Sequence, residues 1–427
     1  MNMVAPQRQR LVIIGNGMAG TRALEEILAR APQAFDITVF GAEPHGTYNR
    51  IMLSPVLAGE KRFADIVTHG HAWYAVNRIE LIAGEAVVAI DREQRVVTGE
   101  RGTQRRYDVL LLATGSNPVM LKLPGATLPG VTSFRDIADV NTMLNVCRGD
   151  DRAVVIGGGL LGLEAAYGLA RNGMRVSVVH LMPTLMERQL DPLSAELLAA
   201  DLRARGIDVL TGANTHAIRG DDRVRAVALA DGRDLPADLV VMAVGIRPNV
   251  ALARAAGLGC GRGIQVDGAM RSSDPHIYAV GECVEYHGQV FGLVAPLYEM
   301  AAICADRIAG SADSVYQPGV AGTRLKVTGI EMFSAGDFLG DADTQAVVYR
   351  DIARGVHKRL VVRDDRLVGA VLYGDAQDSA WYFYLIRNAT DIGTIRDTLI
   401  FGPAIAPGPG RMPPVADDAR KQEPVAA

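Results

Sequence analysis

One pattern, written twice, constrains this chain more than any other feature of it. Residues 11–14 (LVII) are a continuous apolar run. They lead into Gly15-Asn16-Gly17-Met18-Ala19-Gly20 and then an Ala/Leu/Glu-rich stretch to about Ala31. Residues 153–156 (AVVI) repeat the run, followed by Gly157-Gly158-Gly159-Leu160-Leu161-Gly162 and the helical stretch LEAAYGLARNG. A second apolar run closes each unit, ITVF at 37–40 and VSVV at 176–179. Strand, turn, helix, strand, twice over, predicts parallel sheets with helical crossovers, an α/β fold. Two further buried-type strands, YDVLLLATG (107–115) and ADLVVMAVG (237–245), follow one after each unit and extend the duplication.

Gly-x-Gly-x-x-Gly between a strand and a helix predicts a dinucleotide site. The first glycine lets the chain turn tightly out of the strand, the second lets the backbone approach a pyrophosphate, and the third lets the helix pack on the sheet. The helix start then offers free N–H groups and the positive end of its dipole to phosphate. The acid expected on the adenosine ribose of the first site is Glu43, just beyond ITVF. It lies 28 residues after Gly15, where about 20 is usual; Pro32 and Phe35 predict an extended loop that absorbs the difference. Its alternative is a solvated loop carboxylate. In the second unit Glu164 is open between two roles, a first-turn acid that favours the helix dipole and a group near the reacting rings. The end of the second strand selects between nucleotides: an acid there hydrogen-bonds a 2′-hydroxyl and an arginine pairs with a 2′-phosphate. This chain has His180, with Arg188 as the next basic residue, after Pro183 and Glu187. The balance favours NADH, with NADPH left open.

A chain of 427 residues predicts more than one domain. The formal net charge of −4 comes with no Lys/Arg run, which argues against nucleic acid. The start, MNMVAPQRQR, runs straight into a glycine-broken strand and does not resemble a signal peptide. No stretch reaches the roughly 18 apolar residues of a membrane span, so a cytoplasmic protein is expected. The four cysteines, Cys147, Cys260, Cys283 and Cys304, contain no CxxC pair and no metal-ligand spacing. That leaves neither dithiol chemistry nor a self-ligated iron–sulfur cluster, and no metal site. After about residue 320, LKVTGIEMF, AVVYR and KRLVVRDDRLVGAVLYG read as strands and DSAWYFYLIRNAT as a helix. In that helix Trp381, Tyr382, Phe383 and Tyr384 suit core or dimer packing better than an electron path. The Pro/Ala/Gly-rich segment from 403 is expected to be a flexible tail.

Five motifs in order resemble the pyridine nucleotide–disulfide reductase superfamily over roughly residues 10–310. They are the first glycine fingerprint, Ala113-Thr114-Gly115, the second fingerprint, Gly245-Ile246-Arg247-Pro248-Asn249, and Tyr278-Ala279-Val280-Gly281-Glu282. The resemblance implies two Rossmann-like domains, an NAD(P)H domain (121–247) inserted in an FAD domain (1–120 and 248–320), then a C-terminal α+β domain (321–402). It implies FAD on the first fingerprint and NAD(P)H on the second, with Gly281 and Glu282 against the flavin ribityl and phosphates. Most relatives have aspartate where Glu282 stands. Arg50 is the candidate for the FAD pyrophosphate; its alternative is a surface arginine. Glu164 would lie near the nicotinamide and flavin. Cys283, next to Glu282, suits a buried filler.

The stretch EPHGTYNRIMLSPVLAGEK, which starts at the first ribose acid, contains no cysteine, and this sets the chain apart from the disulfide reductase, peroxidase and coenzyme A disulfide branches. Tyr48-Asn49-Arg50 fits the ferredoxin and rubredoxin reductase branch, but Pro55 follows Ser54 where its lysine would stand. The stretches Tyr48–Glu60, Leu181–Asp191, Gly281–Glu285 and Gly292–Glu299, the last including Pro296 and Leu297, resemble something narrower. They are similar to the flavin-binding half of the assimilatory NAD(P)H nitrite reductase large subunit, and the similarity continues to about residue 402. The cysteine-rich iron–sulfur and sirohaem modules of that subunit are not expected in these residues, whose four cysteines are scattered. The resemblance therefore implies an NADH-oxidising flavoprotein that passes electrons to a separate redox protein, a nitrate or nitrite reductase subunit in the first instance. A ferredoxin or rubredoxin reductase is the alternative enzyme, and a non-catalytic flavin-binding, NADH-responsive protein the alternative class. No acid–base residue is required, since hydride transfer needs none. Monomer and homodimer both remain open.

Overall fold

The computed structural model describes residues 8–147, 151–311, 314–325 and 327–406. The expected tail lies outside the described residues from 407 on, as do the first seven residues. The chain forms two compact units, the first from the described parts of Met1–Arg50, Ala64–Asn117 and Ile246–Pro318, the second from Ile51–Phe63, Pro118–Gly245 and Gly319–Ala427.

In the first unit, β1 (Gln9–Ile14) pairs in parallel with β2 (Phe35–Gly41) on one side, Gln9 opposite Phe35 and Ile14 opposite Phe40. On its other side it pairs in parallel with the strand Val109–Leu112. The full order is Ile277–Ala279, Val109–Leu112, β1, β2, Ile79–Ala83. All four residues of LVII are buried, as a central parallel strand covered on both faces requires. Helix α1 (Met18–Arg30) crosses between β1 and β2, burying Gly20, Ala23, Leu24 and Ile27 at helical spacing. It packs against the helix Val294–Ile308, and Arg30 in its last turn pairs with Glu26 and with Asp306 of that neighbour.

The spacing from Gly15 to Glu43 has a different cause from the one the sequence suggests. Phe35 opens β2 rather than sitting in a loop, and the connection between α1 and β2 is only Ala31–Ala34. The added length is in the helix and strand themselves, 13 and 7 residues long. A Pro next to the helix end announced the stop correctly but not the immediate start of pairing.

The second unit repeats the topology. Strand β3 (Arg152–Ile156) leads through α2 (Leu160–Arg171) to β4 (Arg175–Val179), and the sheet order is Val131–Ser133, Leu239–Met242, β3, β4, Ile207–Leu210. The two late runs, YDVLLLATG and ADLVVMAVG, thus take the same place, beside the strand that enters each glycine loop.

The same unit carries an antiparallel sheet ordered Gly322–Arg324, Met332–Gly336, Arg366–Tyr373, Val356–Arg363, Gln345–Asp351. LKVTGIEMF is therefore not one strand. Gly329 has φ +79° and the Ile330 N–H closes a turn on the Val327 carbonyl at 2.9 Å, so pairing resumes only at Met332. The helix Ser379–Arg387 lies on this sheet, with Trp381 and Tyr382 buried beside Leu360, Leu372 and Leu399. The Tyr382 hydroxyl donates to the Leu399 carbonyl (2.9 Å) and the Ile400 carbonyl (3.2 Å). Replacing Tyr382 by Phe removes the hydroxyl donor from both carbonyls, Leu399 keeping only the Gly402 N–H at 3.2 Å, and is expected to cost about 1–2 kcal/mol. A thermal melt of the purified protein checks it, read as a Tm lowered by roughly 2–4 °C at unchanged flavin content.

Candidate functional site

The two glycine loops are built by the same contacts. In the first, the Gly15 N–H donates to the Phe40 carbonyl and the Ala113 N–H to the Ile14 carbonyl, both at 2.8 Å. In the second, Gly157 donates to Val179 and Ala243 to Ile156, again at 2.8 Å. Gly15 and Gly157 hold φ of +112° and +122°, and a Cβ on either would stand 2.1 and 2.3 Å from the carbonyl oxygen of Ala113 and Ala243. These positions accept no side chain on two grounds, backbone conformation and space. The third glycines do the packing: a Cβ on Gly20 would lie 2.4 Å from the Gly15 oxygen, and one on Gly162 would lie 2.0 Å from the Gly157 oxygen.

The middle glycines differ in kind. A Cβ on Gly17 or Gly159 would meet nothing within 4 Å. Each is the N-cap of its helix, with no side chain capping it and no acid in the first turn. Both helices therefore present unclaimed N–H groups and a positive dipole end towards open space. That is what a pyrophosphate requires: close backbone approach, donors and no competing carboxylate. Met18 and Ala19, and Leu160 and Leu161, form these helix starts. The loops fit two dinucleotides.

Other expected residues gather round the first loop. Gly281, at φ +93°, comes so close to α1 that its Cβ would be 2.9 Å from the Ala19 Cβ. Glu282 accepts a hydrogen bond from the Ser116 hydroxyl at 2.7 Å. Thr114 donates through Oγ1 to the Asn249 carbonyl (2.8 Å), and the Asn249 N–H returns a bond to Gly115 (2.9 Å), which joins two of the five motifs. Pro296 and Leu297 are buried in the first turns of the helix that packs on α1. Cys283 is fully buried and burial pushes its thiol up, so it is a filler and not a thiolate.

Glu43 and Arg50, expected at different parts of one ligand, are brought together. The Glu43 carboxylate accepts from the Tyr48 hydroxyl at 2.7 Å and pairs with the Arg50 guanidinium, which also lies 5.0 Å over the Tyr48 ring. A carboxylate has about four acceptor sites, so this clamp orients Glu43 and leaves room for a ribose hydroxyl.

In the second unit the helix-dipole role of Glu164 falls away. It lies beyond the first turn of α2, is only 6% exposed, and accepts a hydrogen bond from the Ser54 hydroxyl. His180 follows β4 and is buried, its Nδ1 accepting the Gly158 N–H at 3.0 Å and its Nε2 3.0 Å from Glu187. Gly245, at φ +117°, ends the run that began at Ala237 and accepts from the Val119 N–H at 2.9 Å.

Three groups escaped the sequence. Ala243 closes the second loop with its N–H on Ile156 and its carbonyl against Gly157; its signal was the parallel between ATG and AVG. A buried polar cluster holds Asn16: its Oδ1 accepts from the Tyr74 hydroxyl (2.7 Å) and from Thr47 (3.0 Å), and Thr47 meets Thr21 at 2.5 Å. Glu187 is the third. Among the described residues no group of three or more His, Cys, Asp or Glu could hold a metal, and no helix is long and apolar enough to cross a membrane. The four cysteines are all free.

Comparison with known proteins agrees with this geometry. The family model for pyridine nucleotide-disulphide oxidoreductases matches residues 9–302, and that for the rubredoxin NAD+ reductase C-terminal domain matches residues 322–390. The chain is 48% identical over 396 residues to a nitrite reductase (NAD(P)H) of Bacillus subtilis (strain 168), covering 93% of this chain and 49% of the relative. It is 42% identical to an assimilatory nitrate reductase electron transfer subunit of the same organism, covering 92% of this chain and 51% of the relative. It thus spans about half the length of these curated relatives. Among solved structures, a chain of the covalent putidaredoxin reductase–putidaredoxin complex matches with a TM-score of 0.83 at 25% identity, covering 94% of this chain and 99% of that one.

Proposed function

The chain belongs to the pyridine nucleotide-disulphide oxidoreductase family, and from that premise we propose that it is an FAD-dependent NAD(P)H:acceptor oxidoreductase delivering electrons to a redox protein in nitrate or nitrite assimilation. One observation carries this: two glycine loops of the same construction, each with an open, acid-free helix start, in a chain whose cysteines are all free. The loops provide for two dinucleotides, and the cysteines leave no disulfide relay between them and the acceptor.

FAD, when bound, supplies a centre that takes up hydride and releases electrons singly. The protein's part is placement. The first loop, with Met18 and Ala19, holds the FAD pyrophosphate; Glu43, oriented by Tyr48 and Arg50, takes the adenosine ribose; Gly281 and Glu282, fixed by Ala19 and Ser116, take the ribityl end. The second loop with Leu160 and Leu161 holds NAD(P)H, and Glu164, fixed by Ser54, serves the reacting end of that nucleotide. We assign these domains to 1–120 with 248–320 and to 121–247.

The test is anaerobic absorbance of the FAD-loaded protein titrated with NADH and, separately, NADPH. Bleaching of the flavin band is expected, followed by its recovery on adding a nitrite or nitrate reductase component. A flavin band that neither nucleotide bleaches would sink the proposal. The match of residues 322–390 to a rubredoxin reductase domain favours one second reading, a ferredoxin or rubredoxin reductase. Faster recovery with ferredoxin or rubredoxin than with the nitrogen-assimilating components would select it.

A further inference from the structure

We propose that Glu187, held in place by His180, is the residue that reads the adenosine ribose of the nicotinamide nucleotide and makes the protein prefer NADH to NADPH. This rests on the assignment of the second loop to NAD(P)H. Strand β4 pairs with β3 so that Val179 lies opposite Ile156, which puts the next residue, His180, beside Gly157 and Gly158. In a dinucleotide fold the side chain at that strand end faces the ribose, and an acid there accepts the 2′-hydroxyl and repels a 2′-phosphate. The sequence offers a histidine at the position and no acid.

The structure supplies the acid from seven residues further on. The Gly158 N–H occupies His180 Nδ1, so the ring carries its proton on Nε2, aimed at the Glu187 carboxylate 3.0 Å away. The loop after His180 is folded to make this meeting. Met186, buried and at φ +50°, donates its N–H to the Gly158 carbonyl at 3.0 Å and accepts from the Gln189 and Leu190 N–H groups at 2.8 and 2.9 Å. The left-handed turn at a non-glycine residue is strained, and it is what turns the chain back so that Glu187 reaches the strand end.

Gly158 itself records the closure. A Cβ there would stand 2.6 Å from a Leu185 methyl and 2.7 Å from His180 Cγ. Glycine at this position of the fingerprint is demanded by the folded-back loop, not by a pyrophosphate. The His180 side chain is 11% exposed and that of Glu187 32%. The histidine is thus the buried support and the carboxylate the group that remains accessible to a ligand, with further acceptor sites free for a hydroxyl. Arg188, adjacent and exposed, is the competing group, since an arginine here would attract a 2′-phosphate.

Binding of ADP-ribose and of 2′-phospho-ADP-ribose to the FAD-loaded protein, measured by calorimetry, tests this without turnover. The wild type is expected to bind ADP-ribose at least roughly tenfold more tightly. Glu187→Gln keeps an acceptor and removes the charge, so it should tighten the phosphorylated ligand and bring the ratio to within about twofold. Glu187→Ala should also loosen ADP-ribose several-fold. His180→Ala, which releases the carboxylate, should reproduce part of both effects, with the kinetic counterpart in KM for NADH more than in kcat. A melting temperature and flavin content like the wild type's show that each variant is folded. An unchanged ratio in Glu187→Gln, or a wild type that binds the phosphorylated ligand as well or better, overturns the proposal. So does a ratio that moves only with Arg188→Gln. A wild type that binds neither ligand overturns the nucleotide-site assignment itself, and this proposal with it.

Discussion

Gly20→Ala should yield a folded protein that purifies without its flavin. The added methyl would lie 2.4 Å from the Gly15 carbonyl oxygen and 2.9 Å from the Ala113 Cβ, between the start of α1 and the turn beneath it. Neither side can give way cheaply. Gly15 is tied to Phe40 and Ala113 to Ile14 by 2.8 Å backbone bonds, and Gly15 already occupies φ +112°. The helix start must therefore move outward, at an overpacking cost of about 1–3 kcal/mol to the fold. Flavin binding suffers more. Hydrogen bonds from N–H to phosphate weaken steeply beyond about 3.2 Å, and losing two charge-assisted bonds of about 1.5–3 kcal/mol each lowers affinity by two to four orders of magnitude. Gly17→Ala is the informative partner. Its Cβ meets no protein atom within 4 Å, so it should melt like the wild-type apoprotein and still bind FAD poorly, because its methyl enters the phosphate's space. Flavin absorbance per protein and FAD titration of the apoproteins check both; a Gly20→Ala protein with full flavin would refute the placement.

These glycines were legible in the sequence because the constraint on them is local. A strand that must turn into a helix within a few residues leaves no conformations for a Cβ at Gly15 or Gly157, and the repeat at 153–162 shows that the first match is not chance. The parallel sheets were legible for a related reason: LVII and AVVI have no polar alternation, as parallel strands covered on both faces require. Contacts set by distant residues were not legible. Asn16 is one variable position in a fingerprint, yet its amide is fixed by Tyr74 and Thr47, 58 and 31 residues away. Nothing in the local pattern marks that. Glu187 is not legible at that site because it lies seven residues beyond His180, and only a left-handed Met186 brings it back. Glu164 shows the converse. Of the two roles open to it in the sequence, the first-turn acid favouring the dipole is chemically sound, but burial against Ser54 is a tertiary fact that helix position alone does not contain.

Gly162→Ala should separate the two halves of the reaction. Its methyl would stand 2.0 Å from the Gly157 oxygen and 3.4 Å from the Ala243 Cβ, the same obstruction as at Gly20 in a loop closed by the same pair of 2.8 Å bonds. The displaced helix start is α2, and the ligand lost is the nicotinamide nucleotide. The protein should keep its flavin band, since Gly162 lies in the other unit from the first loop. Its apparent affinity for NADH should fall by two orders of magnitude or more, on the same loss of about 3–6 kcal/mol in phosphate bonding. Dithionite should still bleach the flavin, and an artificial acceptor should still reoxidise it. Stopped-flow reduction by NADH, followed at rising nucleotide concentration, gives the result directly. Retained flavin with NADH reduction abolished assigns one nucleotide to each loop. Loss of flavin together with NADH reduction would mean that the second loop supports the first cofactor as well, and the division of labour proposed for the repeated motif would be wrong.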